Sequence, residues 1–144
     1  GQFMEQGADV IFGAGGPTGS SAVIYAASQG VFVVGVDQDE YFTTFEGGTA
    51  EGADRIITSA LKRIDNGIYN LVEIVVNRDE ISWPGGTNYI LDVANYGIGF
   101  APSHDAPVPQ EVTDRLNQIL EGLRDGSIST GVDPVTGELI AGGD

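Results

Sequence analysis

The segment from residue 8 to residue 37 constrains the fold more than any other part of the chain. Residues 8–12 (ADVIF) form a short apolar run, and residues 13–19 (GAGGPTG) are rich in glycine. Residues 20–29 have helical character, with Ala22, Val23, Ala26 and Ala27 on the apolar face and Gly30 placed to stop the helix. Residues 31–36 (VFVVGV) are almost wholly apolar, as expected of a strand buried on both faces, and Asp37 follows them. Strand, loop, helix and strand within about 30 residues predict a right-handed parallel crossover and an α/β fold. Ligands of such sheets sit beyond the carboxyl ends of the strands, where both the glycine loop and Asp37 fall.

The rest of the chain carries weaker signals. Residues 1–7 read as the tail of a helix rather than a start, as expected of a piece of a longer protein. Residues 38–52 are polar, aromatic and glycine-bearing, and read as a loop. Residues 53–76 carry the strongest helical periodicity, with Ile57, Leu61, Ile64, Ile68, Leu71 and Val75 predicting one buried stripe. On that helix Thr58, Lys62 and Asp65 share a face away from the stripe. Residues 81–86 are turn-rich, and residues 89–93 and 98–101 predict two short strands. A proline-bearing linker over residues 102–109 leads to a second amphipathic helix with Val112, Leu116, Ile119 and Leu123 inward and Gly126 near its end. Residues 133–137 (DPVTG) predict a turn.

Composition removes several functions. With 21 acidic and 6 basic side chains the formal net charge is −15, which lacks the basic footprint that nucleic acid or an anionic membrane surface requires. The absence of cysteine removes disulfides, thiolate metal sites and cysteine nucleophiles, and the single histidine, His104, removes multi-histidine metal sites. No apolar run is long enough to span a bilayer.

The glycine loop alone supports two readings. It resembles a dinucleotide-binding turn, in which glycines let the backbone approach a ligand and helix N–H groups attract an anion. Yet Gly13, Gly15 and Gly19 give GxGxxxG rather than GxGxxG, and Pro17 removes an N–H. A Rossmann-type oxidoreductase fragment is one reading, although neither a catalytic Tyr-x-x-x-Lys pair nor a histidine-based site follows. A plain strand-to-helix turn is the other.

A wider set of motifs runs in order along the chain. Gln6-Gly7-Ala8-Asp9-Val10-Ile11-Phe12, Gly15-Gly16 with Thr18-Gly19, Gly35-Val36-Asp37-Gln38-Asp39, and Thr58-Ser59-Ala60-Leu61-Lys62-Arg63-Ile64-Asp65 resemble the basic membrane protein family. Tyr96-Gly97-Ile98-Gly99-Phe100-Ala101-Pro102 and Gly126-Ser127-Ile128 extend the likeness to about residue 128. These are substrate-binding lipoproteins of ABC transporters and include purine-nucleoside receptors. The resemblance implies a periplasmic-binding-protein type I fold, two Rossmann-like lobes closing on a ligand, of which this chain is the later half. Residues 1–45 would belong to the second lobe, residues 46–80 to a long helix returning to the first, and residues 81–144 to late strands, a hinge crossover and a closing helix.

The resemblance further implies an extracytoplasmic, lipid-anchored receptor without cofactor or chemistry. Its partners would be a purine nucleoside, an ABC permease, and the first lobe or a complementary chain. Asp37 matches the family's strand-end aspartate, which binds ribose hydroxyls; the alternative is a cap on the following turn. Gly15 and Gly16 match glycines whose backbone approaches the sugar, with Thr18 beside them; a tight turn would use the same residues. Lys62, the only lysine in the chain, falls at the lysine of the family's T-S-x-x-K motif and could bind the ligand or brace the opposite lobe.

Other residues stay open. Tyr41, Phe42 and Phe45 could cover a base or plug the loop from beneath. Asp37, Asp39 and Glu40 form an acidic cluster at a strand end, either solvated or a cation site without EF-hand spacing. His104 reads as a surface-loop histidine and Trp83 as packing on the sheet edge. A surface protein using the same fold without transport is a third functional reading.

Overall fold

The apolar run before Asp37 becomes the middle of a parallel sheet. The computed structural model describes residues 1–140. After a single helical turn, α1 (Gln2–Glu5), the chain forms β1 (Val10–Phe12), helix α2 (Gly16–Ser28) and β2 (Phe32–Asp37). A short helix α3 (Glu40–Thr43) and two 3₁₀ turns (Glu46–Gly48 and Ala53–Arg55) lead into β3 (Ile56–Lys62). Helix α4 (Ile64–Val76), strand β4 (Ile98–Phe100) and helix α5 (Gln110–Asp125) complete the elements. The sheet order is β1-β2-β3-β4, with β1–β2 and β2–β3 parallel.

The chain divides into two compact units, one of Gly1–Lys62 with Gly99–Val112 and one of Arg63–Ile98 with the chain from Thr113 onward. In the first unit, Val23, Ala26 and Ala27 of α2 meet Val33 of β2, Ile56 of β3, and Tyr41, Phe45 and Ala53 from the connection between those strands. Phe45 is wholly buried, and a phenylalanine so placed contributes roughly 2–3 kcal/mol through removal of apolar surface from water. The other face of the sheet is less covered. Phe32, Val34 and Val36 are half-buried, and Val10 and Phe12 are exposed, so β2 is not the doubly buried strand its composition predicts.

The helix expected over residues 53–76 is two elements. Its first half is β3, and only Ile64–Val76 is helical. The cause is a β-bulge between Val33 and Val34: Val33 pairs with Ile56 but Val34 with Thr58, so Ile57 is an extra residue. The bulge puts the buried residues Ile56 and Ser59 three apart, which imitates helical spacing. Helix α4 is amphipathic, yet Ile64, Ile68, Val72 and Val75 are exposed rather than forming the buried stripe expected of them.

The second unit also corrects the expectation of a strand over residues 89–93. There the Asp92 carboxylate accepts from the Ala94 and Asn95 N–H groups, and the Asn95 amide donates to the Ile90 carbonyl. These local side-chain bonds compete with a sheet ladder. Gly67 lets α4 approach Leu91, whose Cδ2 would lie 2.8 Å from a Cβ at that position. Further on, Leu116, Ile119 and Leu123 of α5 are half-buried while Val112 is exposed. The Asp133 carboxylate accepts from the Val135 and Thr136 N–H groups at 2.8 Å each, closing the expected turn, and Val132 bridges Leu139. Trp83 is half-exposed and lines a hollow of about 230 Å³ with Ile74, Val75 and Arg78 rather than packing on the sheet edge.

Candidate functional site

Because β1, β2 and β3 are parallel, their carboxyl ends share one edge of the first unit. The glycine loop leaves β1 there and opens α2, with Gly15 at the N-cap and Pro17 in the first turn. Its glycines have two different jobs. A Cβ on Gly19 would meet the Gly13 carbonyl oxygen at 2.1 Å, and one on Gly13 would meet Val23 Cγ1 at 2.4 Å, so this pair exists for loop-to-helix packing. Gly16 has open space around it and φ +54°, a left-handed backbone that favours glycine. Gly15 is likewise exposed, as is Thr18.

Asp37 ends β2 in a left-handed conformation, φ +69°. Its partner across the sheet is Leu61, so the next residue of β3 reaches it: Lys62 Nζ lies 3.1 Å from Asp37 Oδ1. The register, not a helix, brings the two together. Thr58, Lys62 and Asp65 do not share a helical face: the Thr58 hydroxyl donates to the Ala101 carbonyl at 2.7 Å, and Asp65 pairs with Arg63. The Arg63 guanidinium holds the Asp65 carboxyl below the usual carboxylate range.

Between the start of α2 and the end of β2 lies a cleft of about 480 Å³. Gly16, Pro17, Ser20, Asp37, Gln38 and Glu40 are among the residues around it. Of the residues singled out from the sequence, Gly16 and Asp37 thus line one cleft and Lys62 is tied to it through Asp37. Gly15 and Thr18 are neighbours in the loop but do not line it.

Ser20 carries no site signal in the sequence, and Glu40 only that of an acidic strand-end cluster. Glu40 is 3 % exposed. Its Oε1 accepts from the Ser20 hydroxyl at 2.8 Å, and its backbone N–H donates to the Ser59 hydroxyl at 3.1 Å. Burial pushes the Glu40 carboxyl up from its ordinary value; the Ser20 bond opposes this and the Asp37 charge adds to it. The acidic run Asp39-Glu40 hinted at such a group, but its burial depends on Gly35 and Ser59, which are distant in sequence.

The neighbouring acidic residue has a structural task. Asp39 caps α3 by accepting from the Tyr41 N–H, and its Oδ2 lies 2.8 Å from His104 Nε2. His104 stacks on Tyr41 with ring centroids 4.1 Å apart, and Phe42 meets it edge-on. The Tyr41 hydroxyl donates to Asp105 at 2.5 Å, and this bond, more than burial, raises the tyrosine above its ordinary range. Thus His104 is not a free loop histidine; its side chain is only 18 % exposed. Tyr41 and Phe45 plug the core, whereas Phe42 stays exposed. Among the described residues no group of three or more His, Asp and Glu is placed to hold a metal ion, and no helix is long and apolar enough to cross a membrane.

A cleft at the carboxyl edge of a parallel sheet, bordered by a helix N-terminus and a strand-end carboxylate, is the arrangement of α/β domains that hold small ligands. The sequence narrows this class. Residues 2–128 match the Bmp family, ABC transporter substrate-binding protein PnrA-like, and the chain belongs to that family. Two solved structures share its fold. One is a transcriptional activator of the comK gene from Bacillus halodurans, with a TM-score of 0.73 and 18% identity over 90% of this chain and 41% of that one. The other belongs to the ABC transporter system solute-binding proteins of Aeropyrum pernix K1, with a TM-score of 0.59 and 22% identity over 89% of this chain and 41% of that one. At these identities the likeness establishes the fold alone, a partial periplasmic-binding-protein type I fold. This chain spans 41% of the length of each. No curated protein matches it.

Proposed function

We propose that the chain forms part of an extracytoplasmic, lipid-anchored solute-binding component of an ABC transporter and binds a purine nucleoside without transforming it. The observation that carries this reading is the Asp37–Lys62 pair, 3.1 Å apart on the rim of the cleft. A carboxylate there can accept bonds from two vicinal ribose hydroxyls, and a carboxylate acceptor makes stronger bonds than a neutral one. Lys62 orients Asp37 through Oδ1 while leaving the other carboxylate oxygen for the sugar. The open backbone at Gly16 admits the sugar closely, with Gly15 and Thr18 bordering the approach.

In this reading the cleft belongs to the second lobe, and residues of a first lobe supply its opposite wall and an aromatic face for the base. Closure of the lobes buries the ligand and is the state presented to the permease. The exposed apolar residues Val10 and Phe12 and those along α4 support further packing partners in the whole protein.

Titration calorimetry of the whole protein with inosine tests the proposal. Asp37→Ala should abolish binding of inosine. Binding unchanged in that variant overturns the assignment of the site, and no binding by the unaltered protein overturns the nucleoside itself.

A further inference from the structure

The Asp37 carboxylate accounts for one polar end of a ligand, but the cleft holds a second polar device. Ser20, half-buried, lines the cleft, and Glu40 lines it while being almost wholly withdrawn from solvent. The Ser20 hydroxyl gives its proton to Glu40 Oε1 at 2.8 Å. Glu40 Oε2 is buried and has no hydrogen-bond partner among the described residues. Leaving a buried acceptor unpaired costs about 1–3 kcal/mol, and more for a charged group, so a fold that keeps one beside a cleft has a use for it.

The position is built from three elements. Gly35 of β2 has no side chain, and a Cβ there would meet Glu40 Cβ at 2.9 Å and Ser59 Oγ at 2.6 Å. Ser59 of β3 holds the Glu40 backbone, and Ser20 of α2 holds its carboxyl. The Ser20 hydroxyl also lies 3.4 Å from the Gly16 carbonyl, but the 2.8 Å bond to Glu40 is the shorter and takes its only proton, so the oxygen's lone pairs offer an acceptor to the cleft.

We propose that Ser20, positioned by Glu40, is an acceptor subsite for a ligand hydroxyl other than those held by Asp37. This rests on the nucleoside reading. Within a nucleoside the sugar's remaining donor is its primary hydroxyl, and Ser20–Glu40 belongs to the sugar end because Asp37 lines the same cleft. Ser20 is the contact and Glu40 the positioning residue. Glu40→Gln tests the positioning: its amide carbonyl can still accept from Ser20, but its N–H₂ can also donate there and turn the serine proton toward the cleft, so the serine is no longer held as an acceptor.

Calorimetry with inosine and with its analogue lacking the primary hydroxyl measures the preference for that group in the unaltered protein, Ser20→Ala, Glu40→Gln and the double variant. The unaltered protein should prefer inosine by about tenfold, the worth of one good hydrogen bond. Each single variant should lose most of that preference, and the double variant should lose no more than either, because the two residues act as one unit. Thermal melts of Ser20→Ala confirm that the fold persists where Glu40→Gln lowers stability. Equal affinities in the unaltered protein, or a preference that survives in both variants, overturn the subsite. If Asp37→Ala abolishes binding while both variants keep the preference, the subsite alone fails. If the unaltered protein binds neither compound, the nucleoside reading fails and takes the subsite with it.

Discussion

Gly13 and Gly19 approach each other so closely that a methyl group on Gly19 would sit 2.1 Å from the Gly13 carbonyl oxygen. The contact locks the loop that follows β1 onto the first turns of α2. Gly19→Ala should therefore destabilise the protein by about 1–3 kcal/mol, the usual cost of overpacking. Gly16→Ala meets no neighbour but must adopt φ +54°, and should cost less, about 1 kcal/mol. Urea denaturation of the two variants checks the order; an equal loss would contradict the division of labour among the glycines.

The His104 side chain joins the segment after β4 to α3 through Asp39 and Tyr41. Removing it strands the Asp39 oxygen and uncovers the tyrosine ring. His104→Ala should lower stability by about 1–2 kcal/mol. His104→Phe, which keeps stacking but not the hydrogen bond, should recover part of that. Thermal melting of both variants measures the partition.

Lys62 and Asp37 are each about half-exposed, with side-chain exposures of 54% and 52%. Exposed ion pairs contribute only about 0–1 kcal/mol. Lys62→Met should leave the denaturation midpoint nearly unchanged, yet weaken inosine binding by about tenfold through loss of an oriented charge. A large loss of stability instead would make the pair structural.

The pH dependence of stability should have two opposed arms. Burial raises the Glu40 carboxyl above its ordinary 4.5, so the folded state holds that proton more tightly than the unfolded chain. Its contribution is full below about 4.5 and disappears as pH rises through the folded value. Asp65, Asp79, Asp125 and Asp133 are shifted the other way by hydrogen bonds to Arg63, Ser82, Ser127 and the Thr136 backbone respectively. Their contribution is present above their ordinary 3.8 and is lost as pH falls through their lowered values. Glu40→Gln removes one arm, so its stability relative to that of the unaltered protein should be higher at pH 7 than at pH 5, whatever the sign of the difference. Denaturation at those two pH values tests this, and an identical difference at both would show that Glu40 titrates alike in folded and unfolded chains.

The elements that local pattern describes were legible. The apolar run before Asp37, the glycine loop and the α2 face carried by Val23, Ala26 and Ala27 reappear with small shifts at their ends, because pattern and propensity there agree with the tertiary role. β3 was not legible: its bulge at Ile57 replaces period-two burial with a spacing of three, and the isoleucines of α4 continue the false helix without a break. Asp37 and Lys62 could be selected separately, but their contact follows from parallel register across the 24 residues between them, which local pattern does not encode. Glu40 was harder still. A glutamate in an acidic run ordinarily faces water, and only the glycine at position 35 and the serines at positions 20 and 59 make room and bonds for it inside.

That glycine has a consequence for the subsite proposed at Ser20. Position 35 lies in the middle of β2, where valine or isoleucine would be the expected residue. A side chain there would collide with Glu40 and Ser59 together, displacing the acid that holds Ser20 while leaving Asp37 and Lys62 untouched. Under the subsite proposed at Ser20, one substitution in the floor of the sheet would therefore alter which sugars are told apart, although neither Asp37 nor Ser20 is itself changed. The proposed subsite would thus be adjustable from beneath, by the width of a single methyl group.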